Sequence, residues 1–313
     1  MKRLAFLFVA LLALPARAED DLEALWKDAC LWEVGSNLEK VPAARKKLIE
    51  AKGKTLDFLI PGKLDAADTI ITRALSMVIL GIAGEEAADP VLRKRAVDGL
   101  MTALTSDKPA VRRNAADLLG QLGAKEAAPE IAKLLTDKDA RGGALAALGA
   151  LKVDSSVPAI IGLLKTGETE RLRVACVVTL GSIGGAAAQE ALLATLSDKA
   201  SPVRFAAQYA LEGLRSVGAL RLKLSDPDKK VRLHALSALG RIGERSVRTD
   251  IRPLASDPDP MVRGFAIEAL TEMLKPSDRE WMKEMLEGER DPFVRGKLEA
   301  ALRRIDQPVR ADR

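Results

Sequence analysis

The sequence has few of the residues that usually build reactive sites. It contains one histidine, His234, and no loop whose acidic residues are spaced as in a calcium site. A single histidine is more often a packed or surface side chain than a metal ligand. No Gly-x-Ser-x-Gly elbow and no phosphate-binding loop of the Gly-Lys-Ser type is present. These absences favour a protein that is not an enzyme and holds no metal or other cofactor.

Long apolar runs are also missing, apart from one near the start of the chain. Residues 4–14 are apolar, but these 11 residues are too few to cross a bilayer, which takes about 20. Two basic residues precede the run and Ala-Arg-Ala follows it at residues 16–18, an order typical of a secretory signal. We therefore expect residues 1–18 to be removed after Ala18, and the mature protein to be periplasmic or secreted with no membrane span.

An excess of one charge is missing once this leader is set aside. The chain has 49 lysines and arginines against 44 acidic residues. Lys2, Arg3 and Arg17 belong to the leader, which leaves 46 against 44, a net charge of +2. Basic and acidic residues alternate through most segments, whereas a nucleic-acid binder usually has a basic face. We expect no nucleic-acid partner.

What the sequence does have is a repeat. Arginines recur at steps of 28 to 39 residues, and each begins a similar pattern in which apolar residues lie three and four apart, typical of an amphipathic helix. A second, shorter amphipathic stretch follows several of them. Such helix pairs cannot bury their apolar faces alone, so neighbouring pairs must stack. The arginines are Arg45, Arg73, Arg112, Arg141, Arg173, Arg204, Arg232, Arg263 and Arg295, and the second stretches are residues 128–135, 157–164, 188–196, 247–254 and 281–286.

Turn residues mark both ends of the first helix. An aspartate followed by proline predicts a helix start, because the carboxylate caps the first turn and proline needs no hydrogen bond there. Glycines three residues apart predict the helix end. The Asp-Pro pairs begin at Asp226, Asp257 and Asp291, and the glycine pairs are Gly120 with Gly123, Gly181 with Gly184, and Gly240 with Gly243.

The position three residues after most of the arginines is small, which predicts close packing of paired helices. Alanine occupies it in most repeats, as Ala235 does after Arg232, and Cys176 takes it in one. A buried thiol is therefore expected at Cys176. Cys30 precedes the first repeat, so several helices spaced about 8–10 Å apart should separate the two cysteines, too far for a disulfide. Pairing of Cys30 with another molecule stays open.

Three segments surround or contain the repeats. Residues 19–38 are predicted to form an N-terminal capping helix, residues 39–306 a stack of helical hairpins, and residues 307–313 a disordered polar tail. The stack is expected to contain about nine hairpins.

One repeat carries the clearest family signature. Its residues are Asp226, Pro227, Val231, Arg232, Ala235, Leu239, Gly240 and Gly243, and this pattern resembles HEAT repeats, most of all the short subtype first described in phycobilisome lyases. The resemblance extends over residues 39–306 and implies an all-α fold, an α-solenoid. It also implies that the repeated Asp and Arg form a structural ladder between successive loops, here Asp107 with Arg112, Asp226 with Arg232, Asp257 with Arg263, and Asp291 with Arg295. A row of arginines that binds acidic partners is the alternative.

The family includes scaffolds, chromophore lyases and iron-dependent hydroxylases, so the resemblance leaves activity open. The hydroxylases hold iron with His-Glu pairs, whereas His234 is followed by Ala235. A lyase should offer a cradle for a flat conjugated ligand, and the aromatic residues beyond the leader and cap are scattered along the chain. These are Phe58, Phe205, Tyr209, Phe265, Trp281 and Phe293. A lyase-like or metal-dependent enzyme remains the alternative.

The sequence thus favours a non-catalytic, exported scaffold or adaptor, a monomer that binds a protein partner along the concave face of a solenoid. We expect the second helices to line that face. Ten polar residues on them are predicted to contact the partner: Glu130, Lys133, Gln189, Glu190, Arg221, Lys223, Asp250, Arg252, Lys283 and Glu284.

Overall fold

The computed structural model describes residues 16–84 and 89–306. Within these residues the chain forms α-helices and short 3-10 turns, and no strand. None of the helices there is both long and apolar enough to pass through a bilayer. The apolar run at residues 4–14 and the polar tail at residues 307–313 lie outside the described residues. The chain divides into two compact units, the first ending at Leu151 and the second beginning at Lys152.

The first unit contains eight helices within its described residues. Helix α1 packs against α2, α2 against α4, α3 against α5, and α6 against α8. The helices are α1 (Ala16–Ala29), α2 (Asn37–Glu50), α3 (Gly53–Gly62), α4 (Thr69–Ala83), α5 (Pro90–Ala103), α6 (Pro109–Gln121), α7 (Ala128–Lys133) and α8 (Arg141–Leu151).

Ten helices form the described part of the second unit. They are α9 (Val157–Thr166), α10 (Glu170–Ile183), α11 (Gly185–Thr195), α12 (Ser201–Gly213), α13 (Val217–Leu222), α14 (Lys229–Ile242), α15 (Arg248–Ile251), α16 (Pro260–Thr271), α17 (Arg279–Gly288) and α18 (Pro292–Asp306). The even-numbered helices pack on one another in chain order, from α10 to α18.

From α2 onward, even-numbered helices are the first helices of repeats and odd-numbered helices are the second helices. Several second helices are short and continue as 3-10 turns, as at residues 134–136 and 252–256. Nine first helices, α2 to α18, lie in the described ranges, and this alternation confirms the predicted all-α solenoid. Helix α1 covers part of the segment predicted as a cap and buries Leu22, Trp26 and Ala29, but the helix ends at Ala29.

The alanine or cysteine three residues after most of the arginines is buried, as the repeat pattern predicts. Ala207, Ala235 and Ala266 have no exposed surface, and Cys176 is buried to the same degree in α10. The first helices of neighbouring repeats therefore meet along a line of small side chains.

The predicted helix starts need a correction. Asp228 and Asp259 cap α14 and α16, because their carboxylates accept the backbone N–H of Lys230 and Met261. Asp226 lies two residues earlier and accepts the N–H of Asp228, which closes the turn before the helix. Asp257 does the same for Asp259. At α18 the prediction is correct: Asp291 accepts the N–H groups of Phe293 and Val294, and Pro292 is the first helical residue.

The predicted glycine pairs have two separate roles. Gly123, Gly184 and Gly243 have positive φ angles of 66°, 76° and 69° at the ends of their helices, as predicted. The first glycine of each pair lies inside the helix instead. A Cβ on Gly181 would lie 2.7 Å from the Cβ of Ala210 in the next first helix. These glycines let first helices approach, so they do not end them.

Candidate functional site

The repeated arginines connect the turns of neighbouring repeats. Arg112 lies in α6, and its guanidinium contacts the Asp137 carboxylate of the next turn at 2.7 Å from Nε and 2.6 Å from Nη2. Its Nη1 donates to the backbone carbonyls of Ser106 and Asp107 at 2.7 and 3.1 Å. One arginine thus holds the turn of its own repeat and the turn of the next.

The same arrangement recurs in the second unit. Arg173 donates to both carboxylate oxygens of Asp198 at 3.0 and 3.1 Å, and Arg263 donates to both of Glu289 at 2.8 and 3.0 Å. The hydrogen bonds from Arg263 are the main reason that the pKa of Glu289 falls to about 2. These planar two-bond contacts suit arginine, and they leave the ladder arginines little capacity to bind an acidic partner.

The ladder differs from the expected pairing in its register. Asp107, Asp226 and Asp257 were expected to pair with the arginines of their own repeat, and each does so only through its backbone carbonyl. The carboxylate comes from the following repeat. Arg232, for example, lies 3.8 Å from the carboxylate of Asp257. At the last repeat Arg295 contacts the carbonyls of Leu286 and Glu289 instead of the Asp291 carboxylate.

Three of the nine arginines fall outside the ladder. Arg73 is exposed, and neither Arg73 nor Arg141 makes a side-chain hydrogen bond to any residue in the described ranges. The third, Arg45, bonds to Ala29 and Glu33. The ladder is therefore formed by six first helices, which are α6, α10, α12, α14, α16 and α18.

His234 takes the place of a ladder carboxylate in one repeat. Arg204 donates from Nε to His234 Nε2 at 3.3 Å, and His234 Nδ1 lies 2.6 Å from the Gln208 side-chain oxygen. Burial, and then the charge of Arg204, lower the pKa of His234 to about 4. The lone histidine is thus a packed, neutral side chain. Among the described residues no group of three or more His, Cys, Asp or Glu could hold a metal ion.

Most of the ten residues predicted to contact a partner already contact a neighbour in this chain. Lys133 pairs with Glu130 at 2.7 Å, and Arg221 pairs with Asp250 at 2.8 Å. Lys223 binds Asp226, Lys283 binds Glu280, and the Arg252 guanidinium lies 4.2 Å from the centre of the Trp281 ring. The remaining three are Gln189, Glu190 and Glu284. All ten lie on second helices or the 3-10 turns that extend them, as predicted.

A groove opens between second helices α9 and α11, and we call it the α9–α11 groove. Its volume is about 720 Å³. Its apolar lining is formed by Ile161, Leu164, Ala187, Ala191 and Ala194, and its uncommitted charged residues are Lys165, Glu190 and Lys199. Glu190 is the one member of the predicted set that lines it.

The groove exists because α11 carries small residues on the side that borders it. Ala187, Ala191 and Ala194 are spaced four and three apart, which places them on one side of the helix. Ala187 and Ala194 are exposed. The sequence signal was a run of alanines where other second helices carry larger residues, and a search for polar contact residues does not detect it.

Aromatic residues that are scattered in the sequence come together on the first helices of the second unit. Phe205 of α12 and Phe265 of α16 line one cavity of about 640 Å³, and the rings of Phe265 and Phe293 lie 6.2 Å apart. Gly264 leaves room for Phe293, since a Cβ there would overlap its ring. Rings that are far apart in the sequence thus meet on this face, which the sequence alone does not show.

The charges around this aromatic cavity are neutralised within the chain. Glu268 binds Lys297 at 2.8 Å, and Glu272 binds Arg304 at 2.6 Å. Arg241 lies 5.0 Å from the Tyr209 ring centre. The described residues that line this cavity thus offer rings, and their charged members Arg241, Glu268 and Glu272 are all paired.

Comparisons with known proteins agree with this architecture. The family model for HEAT repeats matches residues 63–142, 136–212 and 218–303. These matches cover well over half of the chain, and the protein belongs to the HEAT-repeat family. No curated protein sequence matches it.

Solved structures similar to this chain include three helical-repeat proteins. Kap121p bound to Pho4p is 13% identical, with a TM-score of 0.53, and the match covers 92% of this chain and 42% of that chain. The CpcE and CpcF complex of phycocyanin lyase from a Nostoc species is 23% identical (TM-score 0.39; 80% and 94% covered). Human deoxyhypusine hydroxylase is 18% identical (TM-score 0.32; 82% and 96% covered). At these identities the similarity to Kap121p shows the fold alone.

Proposed function

We propose that this HEAT-repeat protein is a non-catalytic scaffold that binds a protein partner on its second helices, with the α9–α11 groove as the contact site. The groove carries this proposal. It is open, it has an apolar lining, and its volume of about 720 Å³ lies within the range of about 300–1,000 Å³ that is common for binding pockets. An exposed apolar strip with a polar rim is the usual form of a protein contact surface.

The surroundings of the candidate reactive groups support a non-catalytic role. The His234 ring is buried and bonded to Arg204 and Gln208. Burial raises the pKa of the Cys30 thiol to about 11, so this cysteine is a weak nucleophile at neutral pH. Cys176 is fully buried. Each of these groups has a structural environment that opposes the ionisation or access that catalysis needs.

We further propose that the scaffold acts as a monomer outside the cytoplasm after cleavage behind Ala18, and that nucleic acid is not its partner. The signal-like order of residues 1–18 supports export, and the balanced, paired charges of the second helices argue against a phosphate-binding face. N-terminal sequencing of protein from the host envelope fraction tests the cleavage, with Glu19 as the expected first residue.

A pull-down with paired variants tests the groove. Ala194 lines the groove and is exposed, so Ala194→Trp should fill the groove without disturbing the core. Ala186→Trp is the matched control, because Ala186 is exposed on the same helix but does not line the groove. A partner retained by the wild type and the control should be lost with Ala194→Trp. Equal retention by all three proteins contradicts the proposal.

Elemental analysis and an absorption spectrum of protein purified from its own host address the enzymatic alternative. We expect neither stoichiometric metal nor bound pigment. Finding either one would replace the scaffold proposal with a metal-dependent or chromophore-handling activity.

A further inference from the structure

Two lysines in the α9–α11 groove give one end of it an excess of positive charge. Lys165 lies in the last turn of α9 and Lys199 follows the end of α11, and both line the groove. Both are exposed, and neither forms an ion pair or a side-chain hydrogen bond with any residue for which the structure gives a position. In the same unit Arg173, Arg221 and Lys223 are all paired.

The carboxylate next to Lys199 in the groove, that of Asp198, is already bound by an arginine. Asp198 accepts two hydrogen bonds from Arg173 and a third from the backbone N–H of Ala200. Its charge also attracts Lys199, but Arg173 already balances that charge, so the two lysines remain as excess positive charge. The end of the groove where α9 and α11 finish is positive.

The middle of the groove is different in charge. Glu190 lies in the middle of α11, about one and a half helical turns before Thr195, the last residue of that helix. Its side chain forms no ion pair with another described residue. The groove thus has an uncommitted negative charge midway along its length and two uncommitted positive charges at one end, so its charge has a direction.

The apolar lining fits a helix. Ala187, Ala191 and Ala194 present a small-residue surface on which a partner helix can lie close, at the short end of the usual interaxial range of about 8–10 Å. Ile161 and Leu164 of α9 form the other wall. On α11 the lining runs from Ala187 to Thr195, about 12 Å of helix, which is enough for roughly two turns of a partner helix.

We infer that the occupant of this groove is an amphipathic helical segment of a partner protein whose acidic residues lie at one end, where they pair with Lys165 and Lys199. This inference rests on the proposed function and specifies its partner. Glu190 disfavours a segment that is acidic along its whole length and favours a neutral or basic residue at the middle. Charge complementarity of this kind sets the direction in which the segment binds.

Selection from a random peptide library tests the inference. The library carries peptides of about 16 residues, four helical turns, and is selected on the full mature protein. Counter-selection on Ala194→Trp removes clones that bind elsewhere. The retained clones should be amphipathic and should carry Asp or Glu near one end. Retained clones that are neutral or basic at both ends overturn the inference.

Charge reversal then measures the contribution of the lysines. Replacing both lysines by glutamate should weaken an acidic clone roughly tenfold or more, because two attractions turn into repulsions. The loss should shrink in high salt. Lys230→Glu is the control, since Lys230 is exposed outside the groove. Thermal unfolding of each variant verifies that it is folded.

The two proposals fail in distinguishable ways. If Ala194→Trp abolishes binding but the reversal of Lys165 and Lys199 does not change it, the groove is the binding site and the acidic partner is wrong. If no clone discriminates between the wild type and Ala194→Trp, both the acidic partner and the groove as binding site are wrong.

Discussion

Gly240 lies so close to Ala269 that a Cβ on the glycine would be 2.8 Å from the alanine Cα. Gly120 has the same relation to Ala147, and Gly181 approaches Ala210 similarly. In each case the glycine lies eight residues after the repeated arginine of its own helix, and the alanine lies six residues after the repeated arginine of the next first helix. The first helices of these neighbouring repeats therefore touch with almost no side chain between them.

This contact predicts an unusual cost for a small substitution. Gly240→Ala should destabilise the protein by about 1–3 kcal/mol, because the added methyl group meets backbone atoms that cannot move aside. The loss should occur although alanine is the better helix former by about 1 kcal/mol. Urea unfolding measures the difference.

A second glycine supplies the control. Gly162 lies inside α9, and a methyl group added there would meet no atom within 4 Å beyond the backbone of its own helix. Gly162→Ala should therefore stabilise by up to about 1 kcal/mol, through helix propensity alone. Destabilisation of equal size in both variants would show that the close approach at Gly240 is not the cause.

The ladder predicts a large effect for one arginine and almost none for another. Arg263→Ala removes two hydrogen bonds to Glu289 and leaves that mostly buried carboxylate without its cation. We expect a loss of about 2–4 kcal/mol in the free energy of unfolding. Arg73→Ala should change it by less than about 0.5 kcal/mol, because Arg73 is exposed and outside the ladder. Similar losses at both positions would contradict the ladder.

The repeats could be predicted from sequence because their signals are local. The place of Ala235 on the apolar side follows from helical spacing, and the positive φ of Gly243 is set by the end of its own helix. The ladder register could not be predicted in this way. Whether Arg263 contacts the Asp257 carboxylate or Glu289 depends on how far the next turn is displaced along the stack, which the spacing in the sequence does not show.

The candidate site was harder to predict, for a physical reason. The α9–α11 groove results from missing volume at Ala187, Ala191 and Ala194, whereas helical spacing selected polar residues as the predicted contacts. Polar side chains on a repeat protein mostly find partners in adjacent turns, as Arg221 does with Asp250. Only the arrangement of both helices shows which charges stay uncommitted.

His234 predicts a pH dependence of stability. Its pKa is about 4 in the folded protein and about 6.5 in the unfolded chain, so the unfolded state binds the proton more readily. The stabilising effect is complete above pH 6.5 and is lost as the pH falls toward 4. At pH 4.5 the loss should be about 2–3 kcal/mol relative to neutral pH.

A comparison of variants isolates this histidine from the carboxylates that also titrate in acid. His234→Gln keeps a neutral polar side chain at every pH and should show a smaller drop in unfolding free energy between pH 7 and pH 4.5. Parallel drops in the wild type and His234→Gln, measured by urea titration at both pH values, would mean that His234 does not titrate as its surroundings indicate.

Cys30 predicts slow thiol chemistry. Because burial raises its pKa to about 11, the thiolate fraction at neutral pH should be about three-hundredfold below that of an ordinary cysteine with a pKa near 8.5. Alkylation by iodoacetamide should be slowed by a similar factor in the folded protein and should become normal in urea. Cys176→Ala makes the measurement specific, since alanine fills the equivalent position in most repeats and that variant should stay folded. Rapid alkylation of Cys30 in the folded variant would instead indicate an accessible thiolate, and would favour the pairing of Cys30 with another molecule.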